Sequence, residues 1–180
     1  MDFHIITGMS GTGKTSLVEA LRARGHACFE EPVRKTLMEQ LAVDGPALPA
    51  KNPELFVREM LRVCLADRES ARAHVGPAFF DRGIPDLIAY AVRFGVDPTD
   101  FTQAARNHPY AESVFVLPPW REIFVQDEVR RASFEAYTEF HAMIEKSYRD
   151  LGYRLVEVPK VDVASRVRFI ESRIDPMNTG

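Results

Sequence analysis

The residues Gly8-Met9-Ser10-Gly11-Thr12-Gly13-Lys14-Thr15 come directly after the apolar run Phe3-His4-Ile5-Ile6. No other stretch constrains the fold as strongly, because this order prescribes a buried strand, a glycine-rich turn and then a helix. Glycines at 8, 11 and 13 let the backbone curl so that successive N–H groups point inward, which makes a concavity for an anion. A helix starting near Lys14 aims its positive dipole end at the same point. The pattern is G-x-x-x-x-G-K-[ST], so Lys14 is expected to reach the β- and γ-phosphates of a nucleoside triphosphate, and Thr15 to meet the Mg²⁺ that bridges them. Gly8, Met9, Ser10, Gly11, Thr12, Gly13, Lys14, Thr15 and Ser16 are therefore the expected nucleotide-binding residues. A chance match in a chain of this length is on the order of one in a hundred. The amphipathic continuation Leu17, Val18, Leu21 makes an ordinary glycine-rich turn a poorer explanation still.

The bulk numbers fit such a domain and remove several classes. At 180 residues the chain reads as a single domain, 1–180, large enough to bury a core without staples. A net charge of −3 without a long basic run does not suit a nucleic-acid surface. Cys28 and Cys64 lie in apolar contexts without metal spacing and read as reduced core thiols. The N-terminus enters a strand without a basic leader, and no apolar run approaches about 18 residues, so no membrane span is expected and the location is expected to be cytoplasmic. The sequence gives no expectation for oligomeric state.

Short, nearly all-apolar segments alternate with helical ones along the chain. Ala27-Cys28-Phe29 reads as a second strand ending at Glu30-Glu31-Pro32, with a helix from about Val33 to Leu41. Asn52-Pro53-Glu54 opens a long helix, and Ala78-Phe79-Phe80 is a third strand stopping at Asp81-Arg82-Gly83. Helices over Pro85–Phe94 and Thr99–Asn107 lead to the strand Ser113–Leu117. A helix then carries Phe134, Tyr137, Phe140, Ile144 and Tyr148 on one face, before the last strand, Tyr153–Val158, and a closing helix striped by Val163, Val167, Ile170 and Ile174. This pattern predicts an α/β three-layer fold: a five-stranded parallel sheet with helices on both faces and chemistry at the carboxyl ends of the strands.

Two charged groups sit at those ends. Glu31 and Asp81 both project into the crevice beside the phosphate loop, where an acid can hold Mg²⁺ through water or accept a proton from an attacking hydroxyl. Asp81 follows three apolar strand residues and Glu31 has Glu30 as its rival; which acid serves as base and which meets the metal stays open at this point. Arg34 and Arg82 are candidate clamps for substrate or phosphate, since a guanidinium is planar, always charged and bidentate. After the fourth strand and the corner Pro118-Pro119-Trp120, the residues Arg121, Asp127, Glu128, Arg130 and Arg131 form a candidate lid over about 120–132, with Arg130 and Arg131 positioned to neutralise transition-state charge. The five histidines show no metal spacing and no H-E-x-x-H, so a zinc hydrolase is not supported.

Taken together, Gly8–Thr15, Glu31-x-x-Arg34, Asp81-Arg82-Gly83 and Asp127-x-x-Arg130 resemble a family of small P-loop predicted ATPases or kinases, similar to the nucleoside-kinase-like domain of the bacterial NAD-biosynthesis regulator and more distantly to deoxynucleoside kinases. The similarity runs from Phe3 to about Ile174. It implies a P-loop NTPase fold of kinase type with a lid, Glu31 as the base, Asp81 and Arg82 as the acid–arginine pair, and Arg130 or Arg131 from the lid. Deoxynucleoside kinases carry Glu-Arg-Ser where this chain has Asp-Arg-Gly.

Two activities follow as expectations. One is phosphoryl transfer from Mg²⁺-bound ATP to a hydroxyl of a small, nucleoside-like acceptor; the other is an ATP- or GTP-dependent NTPase or switch acting through a protein partner. Guanine stays open as the base because Pro159-Lys160-Val161-Asp162 lies close to the [NT]-K-x-D pattern. In the kinase-type strand order the third strand adjoins the phosphate-loop strand and the second lies one place further out, which puts Asp81 near the metal and Glu31 on the acceptor side.

Overall fold

The structure, a computed structural model, describes residues 2–124 and 132–174. Five strands form one parallel sheet: β1 (Phe3–Gly8), β2 (Ala27–Phe29), β3 (Ala78–Asp81), β4 (Ser113–Leu117) and β5 (Arg154–Glu157), in the order β2-β3-β1-β4-β5. The helices are α1 (Lys14–Ala23), α2 (Pro32–Ala42), α3 (Pro53–Ala71), α4 (Ile84–Arg93), α5 (Thr99–Asn107), α6 (Phe134–Asp150) and α7 (Val163–Ile174).

The alternation of side chains across the strands builds two separate cores. Phe3, Ile5, Phe80, Val114 and Val116 face one side of the sheet, where they meet Phe56 and Met60 of α3, Leu87 of α4 and Ile144 and Tyr148 of α6. Ile6, Phe79, Phe115 and Leu117 face the other side and pack against Leu17 and Leu21 of α1 and Val167 and Ile170 of α7. A strand covered on both faces is apolar nearly throughout, and all six residues of β1 are buried, with its polar members His4 and Thr7 each hydrogen-bonded to an acid, Asp2 and Asp86. This accounts for the nearly unbroken runs in the sequence.

The expected elements are all present, with differences at their ends. β1 continues two residues past its apolar run because Gly8 still pairs with Leu117 of β4. β3 includes Asp81, which stands opposite Ile6 in the register and is buried. β5 is shorter than the apolar pattern suggested; it is an edge strand whose terminal residues, Arg154 and Glu157, are exposed. α3 begins where Asn52 accepts the Leu55 N–H at 3.0 Å, with Pro53 in the first helical position. β3 does adjoin β1, with β2 outside it, so Asp81 and Glu31 emerge on the same side of the phosphate loop.

Candidate functional site

The phosphate loop is held in shape by backbone geometry and two carbonyl contacts. Gly8 has φ +135°, and a Cβ there would lie 2.3 Å from the Leu117 carbonyl oxygen, so only glycine fits. Gly13, at φ +81°, is the residue that turns the chain into α1. Thr12 Oγ1 donates to the Met9 carbonyl at 2.8 Å, and the Lys14 ammonium donates to the same carbonyl at 3.2 Å. Lys14 is buried, and burial, aided by the nearby Arg82 charge, lowers its pKa against the opposing pull of Asp81, Glu31 and Asp86. A phosphate group would restore the counter-charge this ammonium lacks.

Asp81 and Arg82 follow at the end of β3. The Asp81 carboxyl is buried and its Oδ1 has no hydrogen-bond partner. Burial, together with the Glu31 and Asp86 charges, lifts its pKa to about 6 in spite of Lys14 and Arg82. Arg82 occupies the left-handed region at φ +69°, unusual for a residue with a side chain. Its N–H donates to the Ile6 carbonyl at 2.9 Å, which turns its side chain back beneath the sheet end. There the side chain is only 3% exposed, and the guanidinium donates to Glu31 at 2.5 Å, to Asp86 at 3.1 Å and to Thr7 at 3.4 Å.

Glu31 sits at the junction of β2 and α2, in the position where a helix-capping side chain would be, but makes no cap. Its carboxylate is spent on Arg82 instead. Burial would raise its pKa, but Arg82, Lys14 and Arg34 outweigh this and hold the group below the usual range, so it stays an anion. Its side chain remains 28% exposed, open to a ligand.

Three adjoining cavities meet at these residues; one, of about 350 Å³, lies beside α1 and is lined by Thr15, Glu30, Glu31, Arg34 and Asp81 among others, and the other two frame the phosphate loop. The second, of about 330 Å³, is lined by Ser10, Gly11, Gly13, Lys14, Thr15 and Ser16 with Glu31, Asp81 and Ile123. The third, of about 670 Å³, runs between α2, α4 and α6 and is lined by Arg34, Arg82, Tyr90, Arg93, Tyr137 and Phe140 among others. Ser10, Thr15 and Glu31 line both the second and the third. The expected nucleotide-binding residues, Glu31, Asp81, Arg34 and Arg82 are thus brought together, with Arg34 exposed and Arg82 deep in the wall. Of the charged residues named for the candidate lid, Arg121 is described: it pairs with Glu135 and stacks on Phe134 at 4.4 Å. Asp127, Glu128, Arg130 and Arg131 lie outside the described residues. Asp162, the last residue of the guanine-like pattern, accepts from the Ser165 N–H at 2.9 Å and the Ser165 hydroxyl at 2.6 Å at the start of α7.

Sequence reasoning missed the residues that organise the site from a distance. Asp86 is fully buried and accepts from Thr7 at 2.6 Å, Arg82, the Gly83 N–H at 2.9 Å and Tyr148. An acid three residues after Gly83 in a helix-opening Gly-Ile-Pro-Asp was the available signal. Arg166 is also buried; it donates to the Thr12 carbonyl at 2.9 Å and lies 4.7 Å over the Trp120 ring, tying α7 to the phosphate loop. Its place in the apolar stripe of α7 gave no hint of that.

A family model described as "AAA domain" matches residues 3–166. No curated protein matches the sequence. Among solved structures, NadR in complex with NR is 21% identical with TM-score 0.63, covering 87% of this chain and 44% of that one. NadR in complex with NAD and AMP-PNP is 18% identical with TM-score 0.66, covering 99% and 51%. Deoxyadenosine kinase from M. mycoides, with products dCMP and dCDP bound, is 19% identical with TM-score 0.53, covering 97% and 99%. At these identities the likeness is one of fold, and this chain spans about half the length of the two NadR chains. The five-stranded P-loop fold with kinase-like neighbours is the one expected from the sequence.

Proposed function

Since the chain belongs to the AAA-domain family of P-loop proteins, we propose that it is a phosphotransferase moving the γ-phosphoryl group of ATP to a hydroxyl of a small, nucleoside-like metabolite. The observation that carries this is Glu31, a carboxylate lining both the phosphate cavity and the larger cavity beside it. A pure NTPase needs no second cavity sharing a proton acceptor with the first; a kinase does. NadR with AMP-PNP and deoxyadenosine kinase with its nucleotide products lend support as proteins of the same fold.

In this reading the loop N–H groups, Lys14 and the start of α1 hold the β- and γ-phosphates. The acceptor oxygen forms a bond to the γ-phosphorus while the bond to the β-phosphate oxygen breaks, ADP leaves, and the hydroxyl proton passes to Glu31. Arg82 positions Glu31 and keeps it ionised. Thr15 and Asp81 fit a Mg²⁺ carried in by the nucleotide: both line the phosphate cavity, and Asp81 Oδ1 is buried without a partner. Such an ion would neutralise charge on the β- and γ-phosphates.

The test is Glu31→Gln. It should bind MgATP as the wild type does in calorimetry, and lose about 10²- to 10⁴-fold in transfer to an acceptor found by screening ATP consumption against metabolites. Turnover that needs no acceptor and survives the substitution would favour an NTPase switch instead. No helix among the described residues is long and apolar enough to cross a membrane, and a cytoplasmic location belongs to the same proposal.

A further inference from the structure

We propose that the acceptor is an anion: a flat-ringed small molecule that already carries a phosphomonoester besides the hydroxyl to be phosphorylated. This rests on the kinase reading above. The reason lies in how the chain uses its arginines. Most guanidiniums among the described residues donate hydrogen bonds, including surface ones such as Arg24 to Glu171, Arg62 to Glu39 and Glu59, and Arg149 to Glu145. Arg34, Arg93 and Arg106 hydrogen-bond no side chain or carbonyl among the described residues, and Arg34 and Arg93 line the same cavity. They enter it from different elements, the first turn of α2 and the last turn of α4.

Electrostatics around that wall strengthen the case. Among the described residues that line the cavity, the one carboxylate, Glu31, is held by Arg82, and Asp86 behind it is consumed by the same guanidinium and its neighbours. Glu31 stands in the capping position of α2 but makes no cap, so the first N–H groups of the helix stay free and add positive potential beside Arg34, whose charge already acts on Glu31. A cation at that end of a helix opposes the dipole, and an anionic ligand would turn the repulsion into attraction. Arg93 lies 5.0 Å from the Phe140 ring centroid, which fixes the face of its guanidinium and leaves its N–H edge for a bidentate contact.

The remaining lining describes the rest of the molecule. Tyr90, Tyr137 and Phe140 offer ring faces and edges, and Met9, Leu37 and Met38 are apolar, which suits a planar body within a volume of about 670 Å³. With the acceptor hydroxyl at Glu31, where the cavities join, the existing phosphate sits toward Arg34 and Arg93. Transfer makes one oxygen–phosphorus bond at that hydroxyl, breaks the γ-phosphoryl bond of ATP and leaves the first phosphate untouched. The product is a bisphosphate.

The experiment is calorimetry on the full chain saturated with Mg²⁺ and AMP-PNP, so that the phosphate loop is filled. AMP is titrated against adenosine, and CMP against cytidine. Each monophosphate should bind at least about tenfold tighter than its nucleoside. Arg34→Gln and Arg93→Gln should each remove most of that advantage while leaving nucleoside affinity within about twofold, and Arg34→Lys should keep part of it. Both side chains are exposed, so unchanged melting temperatures should show the variants intact. Inorganic phosphate should compete with AMP for the wild type and fail to do so in the double variant. No monophosphate advantage in either pair, or an advantage untouched by both substitutions, overturns the proposal. The kinase reading fails separately, through absent AMP-PNP binding or absent phosphoryl transfer to any acceptor.

Discussion

Replacing Asp86 by alanine should be among the most damaging single changes to the fold, although no part of Asp86 reaches solvent. Its carboxylate accepts hydrogen bonds from Thr7, Arg82, Gly83 and Tyr148. Removing it leaves the buried Arg82 with Glu31 as its one carboxylate partner among the described residues, and breaking a buried charge pair in this way costs about 3–5 kcal/mol. The Thr7 and Tyr148 hydroxyls, both in fully buried residues, lose their acceptor as well, at about 1 kcal/mol or more each unless they find another. A domain of this size is stable by about 5–15 kcal/mol, so Asp86→Ala should consume a third or more of that. Asp86→Asn keeps the volume and one acceptor oxygen and should cost less, about 2–4 kcal/mol. Urea denaturation followed by circular dichroism measures both. In a cycle with Arg82→Met, the double variant should lose at least about 1 kcal/mol less than the sum of the singles, because the second change removes the charge stranded by the first. An Asp86→Ala cost below about 1 kcal/mol with an unchanged denaturant slope, or strict additivity with Arg82→Met, would refute the reasoning.

Other consequences follow from the same contacts. Gly8→Ala would push a methyl group to 2.3 Å from the Leu117 carbonyl oxygen at φ +135°, so it should cost about 2–3 kcal/mol or more and lower the melting temperature by several degrees; a shift within error would contradict this. Glu31 is held below its ordinary pKa of 4.5 because Arg82, Lys14 and Arg34 outweigh burial. A depressed acid contributes stability above its unfolded pKa and loses it as pH falls through the folded one, so Glu31→Gln should be less stable than wild type near neutrality and equal to it in acid. A gap that grows on acidification would show the sign to be wrong. Arg166→Gln should weaken AMP-PNP binding about three- to tenfold by releasing the Thr12 carbonyl and the Trp120 ring, and wild-type affinity in that variant would mean that α7 does not set the loop.

The parts of the molecule that were legible in the sequence are those fixed by local pattern. Strands buried on both faces are apolar nearly throughout, so β1, β3 and β4 stood out, and Asn52-Pro53 marked the start of α3 by capping chemistry alone. The phosphate loop was legible because its backbone curvature demands glycine at fixed spacing. Asp81 and Glu31 could be nominated because they end apolar strands. What remained hidden depends on contacts between residues far apart in the chain. Thr7 and Asp86 lie 79 positions apart, Asp86 and Tyr148 62, and Thr12 and Arg166 154. The local sequence marks Asp86 as an acid in the first turn of α4, but nothing local marks Thr7, Tyr148 or Arg166 as a partner. For the same reason the partners of Arg82, a candidate clamp that lines the larger cavity, could not be read: the side chain is buried and bonded to two acids distant from it or behind it in the fold.

The account's central claim is that a nucleotide held by Lys14 passes its terminal phosphoryl group to an acceptor at Glu31. The direct measurement follows the label from γ-phosphoryl-labelled ATP in the presence of Mg²⁺ and a mixture of small metabolites. The label should appear on an organic acceptor, at a rate reduced at least about a hundredfold in Glu31→Gln and abolished in Lys14→Ala. Label recovered solely as inorganic phosphate, at a rate indifferent to the metabolites and to Glu31→Gln, would contradict it.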